Sequence, residues 1–246
     1  MGVFTMGDVK NKTEEVIRKY SKGKDMETVK KVCYEILKSS NSSGVIRGEI
    51  CECLLVMLLE DYIKKNNKRD WVLAKGLILK DLDRPESNYS TELDVTLFTP
   101  KMIYLFECKS YRGEKKLTKE CTLSTKSGKS WTKRVDVFDQ HKKHFVCLYK
   151  YVKKFRVNKD KNAKCFKIIM FDFSIDGIKD NREEKFKCLM PLLDENNLYS
   201  LFDNYDSLDD NWDMKYISQV VKKLKEVSPK RTQKHLDYVK GLHPDA

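Results

Sequence analysis

Residues 92–109, ELDVTLFTPKMIYLFECK, constrain this chain more than any other stretch. Two apolar runs flank Thr99-Pro100-Lys101-Met102, and proline suits the first central position of a β-turn. The segment therefore reads as a β-hairpin. Counting outward from the turn sets Phe98 opposite Ile103 and Asp94 opposite Glu107. Side chains alternate between the faces of a strand. Glu92, Asp94, Glu107 and Lys109 then share one face, and Leu93, Val95, Leu97, Tyr104, Phe106 and Cys108 form the apolar other. Like charges directly opposite one another destabilise a strand pair. Asp94 against Glu107 thus calls for a counter-charge, and a hard divalent cation with oxygen ligands supplies one. A surface ion pair between Asp94 and Lys109 is the competing account.

The flanking sequence supplies elements to pack on such a hairpin. Residues 9–20 and 25–38 carry helical periodicity, with Val29, Val32, Ile36 and Leu37 on one face. The polar run 39–44, SSNSSG, breaks the pattern and marks a boundary. A helix is expected over 46–65, with Ile50, Leu54, Met57, Leu58 and Tyr62 as its inner stripe. A strand is expected over 71–80. The Lys-, Thr- and Ser-rich stretch 110–134 reads as a loop or a short hairpin. Residues 137–155 read as a helix whose apolar stripe includes Phe138, His141, Phe145, Leu148, Tyr149 and Val152. Residues 165–173 read as a buried strand, and 183–193, 212–227 and 230–240 as helices. This order gives an α/β fold with a central mixed β-sheet flanked by helices. The expected divisions are an N-terminal helical appendage (1–43), a core (44–178) and a C-terminal helical extension (179–246).

Charge narrows the partner. Forty-nine Lys and Arg against 37 Asp and Glu give a formal charge of +12, which favours an anionic partner such as nucleic acid. A lysine-rich proteome would produce the same balance. The eight cysteines lack paired CxxC spacing and lie mostly in apolar segments, as reduced thiols of a cytosolic core would. The apolar runs, 54–59 and 168–171 among them, are too short to span a membrane. The first residues, MGVFTMGDVKNK, lack the apolar region of a signal peptide, so a cytoplasmic protein is expected.

The hairpin's chemistry suits phosphodiester hydrolysis. Asp94 and Glu107 can share Mg²⁺ or Mn²⁺, with the backbone carbonyl of Cys108 as a further oxygen. Lys109, two residues from Glu107 on the same face, can orient water or stabilise charge on phosphorus. Acyl transfer fits poorly, because no Ser or Cys sits with a His in a comparable context.

Several motifs follow one another in a familiar order. Gly48-Glu49 opens an apolar helix; Thr91-Glu92-Leu93-Asp94 precedes the hairpin turn; Ile103 to Gly113 reads IYLFECKSYRG; then come Trp131 and Gln140. The set resembles the PD-(D/E)XK nuclease superfamily and, within it, the NERD (nuclease-related) domain, over roughly residues 44–175. The resemblance implies a restriction-endonuclease-like core and a Mg²⁺-dependent nuclease, with a DNA endonuclease favoured over an RNA enzyme. It casts Asp94 and Glu107 as metal ligands and Lys109 as the catalytic lysine. Glu49 becomes the helix acid reaching the same site, and Gln140 a contact to the scissile phosphate or a water. The chain departs from the family at Val95, where members often carry His, and at Met102, where they often carry Gly. The stretch from Gly113 to Trp131 is also long and basic. Lys129, Trp131, Lys133, Arg134, Lys143 and His144 are the expected nucleic-acid contacts, with Trp131 stacking a base. Cutting both strands would suit a homodimer. Two other readings stay open: a nucleic-acid-binding module with a nuclease-like fold, and a scaffold whose arms, 1–40 and 180–246, assemble a complex.

Overall fold

A computed structural model describes residues 6–38, 43–83, 89–160, 162–173 and 177–226. The hairpin forms in the register counted from its turn. Strands β1 (Val72–Lys80), β2 (Ser90–Phe98) and β3 (Ile103–Cys108) are antiparallel neighbours. Phe98 lies opposite Ile103 and Val95 opposite Phe106, so Asp94 falls opposite Glu107. The turn is closed twice at Met102: its carbonyl accepts from Thr99 N (3.0 Å) and from Thr99 Oγ1 (2.8 Å). Strand β7 (Phe166–Phe171) joins β3 in parallel, and β9 (Leu192–Leu193) joins β7, giving the order β1-β2-β3-β7-β9.

The two faces of this mixed sheet bury different helices, because alternate residues point opposite ways. Val95, Leu97, Tyr104, Phe106 and Cys108 meet Ile50, Leu54 and Leu58 of α3 (Gly44–Lys65). Helices α1 (Met6–Ser21) and α2 (Met26–Lys38) add Ile17, Val29, Cys33 and Leu37 to the same core. On the opposite face Phe98, Ile103 and Leu105 pack with Cys147, Leu148 and Val152 of α4 (Val137–Val152). Ile217, Val221 and Leu224 from the helical residues 214–226 complete that core. Asp94 and Glu107 therefore belong to the α4 side. Local capping sets the helix starts: Ser43 Oγ accepts from Ile46 N at α3, and Asp136 Oδ1 from Asp139 N at α4.

The stretch 110–134 is not a loop or a single hairpin. It supplies β4 (Lys115–Leu117), β5 (Thr122–Ser127) and β6 (Ser130–Asp136), which with β8 (Ile178–Asp180) form a second sheet ordered β6-β5-β4-β8. Its strands are polar and short, and only Leu117, Leu123, Val135 and Ile178 contribute apolar positions to the cluster beneath. Binary patterning was therefore faint. Lys115 of β4 and Asp172, which follows β7, form an ion pair of 2.6 Å between the sheets, each side chain 1% exposed. The helix expected over 183–193 is shorter, α5 (Glu184–Leu189), and Pro191 and β9 follow it. A short α6 spans Ser200–Asp203. The helix expected over 230–240 lies outside the described residues. All eight cysteines are free thiols. Among the described residues no helix is long and apolar enough to cross a membrane.

Candidate active site

The facing acids sit where β2 and β3 pass under α4. Asp94 Oδ2 accepts the backbone N–H of Cys108 at 2.8 Å, which ties the carboxylate to the adjoining strand. Burial first, and then the facing Glu107 carboxylate, push Asp94 well above the ordinary carboxylate range, to about 7. Glu107 goes the other way. Its burial also opposes charge, but the neighbouring Lys109 ammonium, followed by His144, outweighs it and holds the carboxyl far below its usual range. The pair is thus split into one acid that keeps its charge and one that readily takes a proton.

Lys109 organises the group. Its ammonium donates to Glu107 Oε1 at 2.5 Å and to Gln140 Oε1 at 3.2 Å. Burial alone would lower its pKa, but Glu107 and then Asp94 raise it, so the side chain is cationic. Gln140, half-buried in the first turn of α4, thereby meets the hairpin through lysine. Lys109 also lines a cleft of about 530 Å³ bounded by Arg47, Gly48 and Glu52 of α3 and by Cys108, Ser110, Tyr111 and Arg112.

Glu49 is placed elsewhere. Its carboxylate pairs with the Lys75 ammonium, which also binds Glu14 of α1 at 2.8 Å, and Cys53 Sγ donates to Glu49 Oε1 at 3.2 Å. The reason is the sheet's two-sidedness. Lys75 stands opposite Val95, on the face that α3 covers, whereas Asp94 and Glu107 occupy the other face. The helix acid at the cleft beside Lys109 is Glu52, three residues on. A Gly-Glu motif at a helix start could not distinguish these two positions.

The expected nucleic-acid contacts also divide. Lys129, Lys133, Arg134 and Lys143 are exposed, the first three on the β5–β6 hairpin and the last on α4. Trp131 is half-buried, with the Lys116 ammonium 4.2 Å from its ring centre, so one ring face is already covered. His144 is not a surface contact. It is 5% exposed, and its Nδ1 lies 3.2 Å from Glu107 Oε2. His141, counted only as part of the apolar stripe of α4, is buried next to it, with Nε2 3.0 Å from Ile169 O. Burial pushes His141 down to about 4. Its three-residue spacing from His144, which puts both rings on one helix face, was the available signal.

A mixed sheet flanked by helices, with paired acids beside a lysine at the end of its hairpin, defines a nuclease-like α/β core. The NERD model, described as the nuclease-related domain, matches residues 47–171, half of the chain, and the chain belongs to that family. No curated protein and no solved structure matches the chain.

Proposed function

We propose that this chain is a Mg²⁺- or Mn²⁺-dependent nuclease that hydrolyses phosphodiester bonds, acting on DNA as an endonuclease. The observation that carries the reading is the convergence of Asp94, Glu107, Lys109 and Gln140 from a hairpin and a separate helix, beside a cleft. The donor set fits a hard divalent ion. Two carboxylates oppose each other, and Asp94 resists ionisation because burial and the facing Glu107 charge outweigh the Lys109 ammonium. Asp94, Glu107 and the Cys108 carbonyl would hold the ion. When bound, it would supply a Lewis acid that draws charge from a phosphate oxygen.

The chain's own groups do the rest. Lys109 keeps a proton on Nζ at neutral pH and holds it beside Glu107 and Gln140, where it can donate to a phosphoryl oxygen as charge develops. Gln140 fixes the direction of that ammonium through its Oε1 and leaves its amide N–H groups for a phosphate or a water. The exposed Lys129, Lys133, Arg134 and Lys143 supply non-specific attraction for a phosphate backbone, so binding should weaken with salt. A division into appendage 1–43, core 44–178 and extension 179–246, a cytoplasmic setting and a homodimer that cuts both strands belong to the same proposal.

The deciding assay incubates supercoiled plasmid with wild type, Glu107→Ala and Lys109→Ala in Mg²⁺ and in Mn²⁺, with matched RNA and single-stranded DNA alongside. Nicking or linearisation by wild type alone is expected. Cutting that survives both substitutions would remove these residues from the chemistry.

A further inference from the structure

Glu107 has two sides, and the nuclease reading uses one. Its Oε1 accepts from Lys109, while Oε2 turns toward α4 and two histidines. Glu107, His141 and His144 are 1%, 1% and 5% exposed. Each offers a ligand atom, and the three atoms lie within 4.8 Å of one another.

The hydrogen bonding of His141 is informative. Its Nε2 lies 3.0 Å from the Ile169 carbonyl oxygen. A carbonyl only accepts, so Nε2 carries the ring proton and Nδ1 presents a lone pair. That Nδ1 is buried with no hydrogen-bond partner. Orphaned buried acceptors are costly and uncommon. Metal-binding imidazoles commonly show this arrangement, with the far N–H anchored on a backbone carbonyl and the near nitrogen left for the ion. Glu107 Oε2 is the second buried ligand atom of the group, with His144 Nδ1 3.2 Å away. A histidine serving only to orient Glu107 would direct its N–H at that carboxylate; His141 directs its N–H at Ile169.

We propose that Glu107 Oε2, His141 Nδ1 and a ring nitrogen of His144 form a binding site for a divalent transition ion of the zinc class. Two imidazoles and one carboxylate favour Zn²⁺ or Co²⁺ over Mg²⁺, which prefers oxygen. Zinc–nitrogen bonds of about 2.0–2.1 Å in tetrahedral geometry set ligand atoms roughly 3.4 Å apart, so no pair in the set has to close by more than about 1.4 Å on loading. The other cluster of this type, Glu14, Glu49 and Cys53, differs decisively: the Lys75 ammonium already bridges its two carboxylates. The inference needs binding alone and stands whether or not the chain cleaves DNA.

Co²⁺ serves as the probe, titrated into EDTA-dialysed protein and followed by visible absorption. One equivalent should raise an intense four- or five-coordinate band that one equivalent of Zn²⁺ abolishes. Affinity should fall at least about tenfold in His141→Ala and in His144→Ala and change little in Asp94→Asn. X-ray absorption on Zn²⁺-loaded wild type decides the matter even if a histidine variant fails to fold. Two imidazoles in the coordination shell support the site; an oxygen-only shell, or sulfur in it, overturns it. So does binding that Asp94→Asn abolishes and the histidine variants keep.

Discussion

Replacing Asp94 by Asn should stabilise the metal-free protein, although it removes a proposed ligand. Burial and the facing Glu107 raise Asp94 from its ordinary 3.8 to about 7. At about 1.4 kcal/mol per pH unit, keeping Asp94 ionised in the folded chain at about pH 8 costs roughly 4 kcal/mol. Partial solvent contact of the side chain trims this to about 2–4 kcal/mol. The sign follows from proton counting. Between 3.8 and about 7 the folded chain holds a proton that the unfolded chain has released, so stability falls as pH rises through that window and levels off above it. Asn keeps an oxygen for the Cys108 N–H that Asp94 Oδ2 now accepts at 2.8 Å, and it carries no charge. The gain from Asp94→Asn should therefore be about 2–4 kcal/mol near pH 8 and shrink steadily toward pH 4. Urea unfolding in EDTA, followed by circular dichroism at several pH values, measures it. A variant less stable than wild type near pH 8, or a gain independent of pH, would refute the reasoning. Mg²⁺ should then raise the melting temperature of wild type and leave Asp94→Asn unmoved.

Glu107→Gln should act with the opposite sign. Glu107 is held below its usual range, so its ionised form contributes stability above the ordinary 4.5 that is lost on acidification; the variant should be the less stable near pH 8, as the same unfolding series will report. Lys109→Met should lower plasmid cleavage by about 10²–10³-fold, measured against wild type with circular dichroism as the folding control. Lys75→Met should cost about 3–5 kcal/mol in thermal or urea melts, because Glu49, 1% exposed, loses its cation; adding Glu49→Gln should recover much of that loss. Glu52→Ala should reduce cleavage more than Glu49→Gln does, in the same plasmid assay, since Glu52 lines the cleft beside Lys109.

Much of the central sheet was legible because strand alternation is a local property. Once Pro100 located the turn, the register of Asp94 against Glu107 followed by counting, and so did the apolar face that α3 covers. The helix expected from 137 begins there as α4, so Gln140 lies in its first turn, where it meets Lys109. The second sheet was illegible for the converse reason: its short polar strands are stabilised by pairing and by a buried Lys115–Asp172 contact, neither of which leaves a periodic trace.

What the sequence by itself determined was which residues share a face, since backbone geometry sets a period of two in strands and 3.6 in helices. Which charges meet was left to the tertiary structure. Glu49 could serve the hairpin until Lys75, brought beneath α3 by the first strand, claimed it. His144 could face solvent until the packing of α4 laid it on Glu107, with His141 beside it. A buried charge takes the nearest compatible partner because leaving it unpaired costs several kcal/mol. Nearness between elements far apart in the chain is decided only when the helices and sheet close on one another.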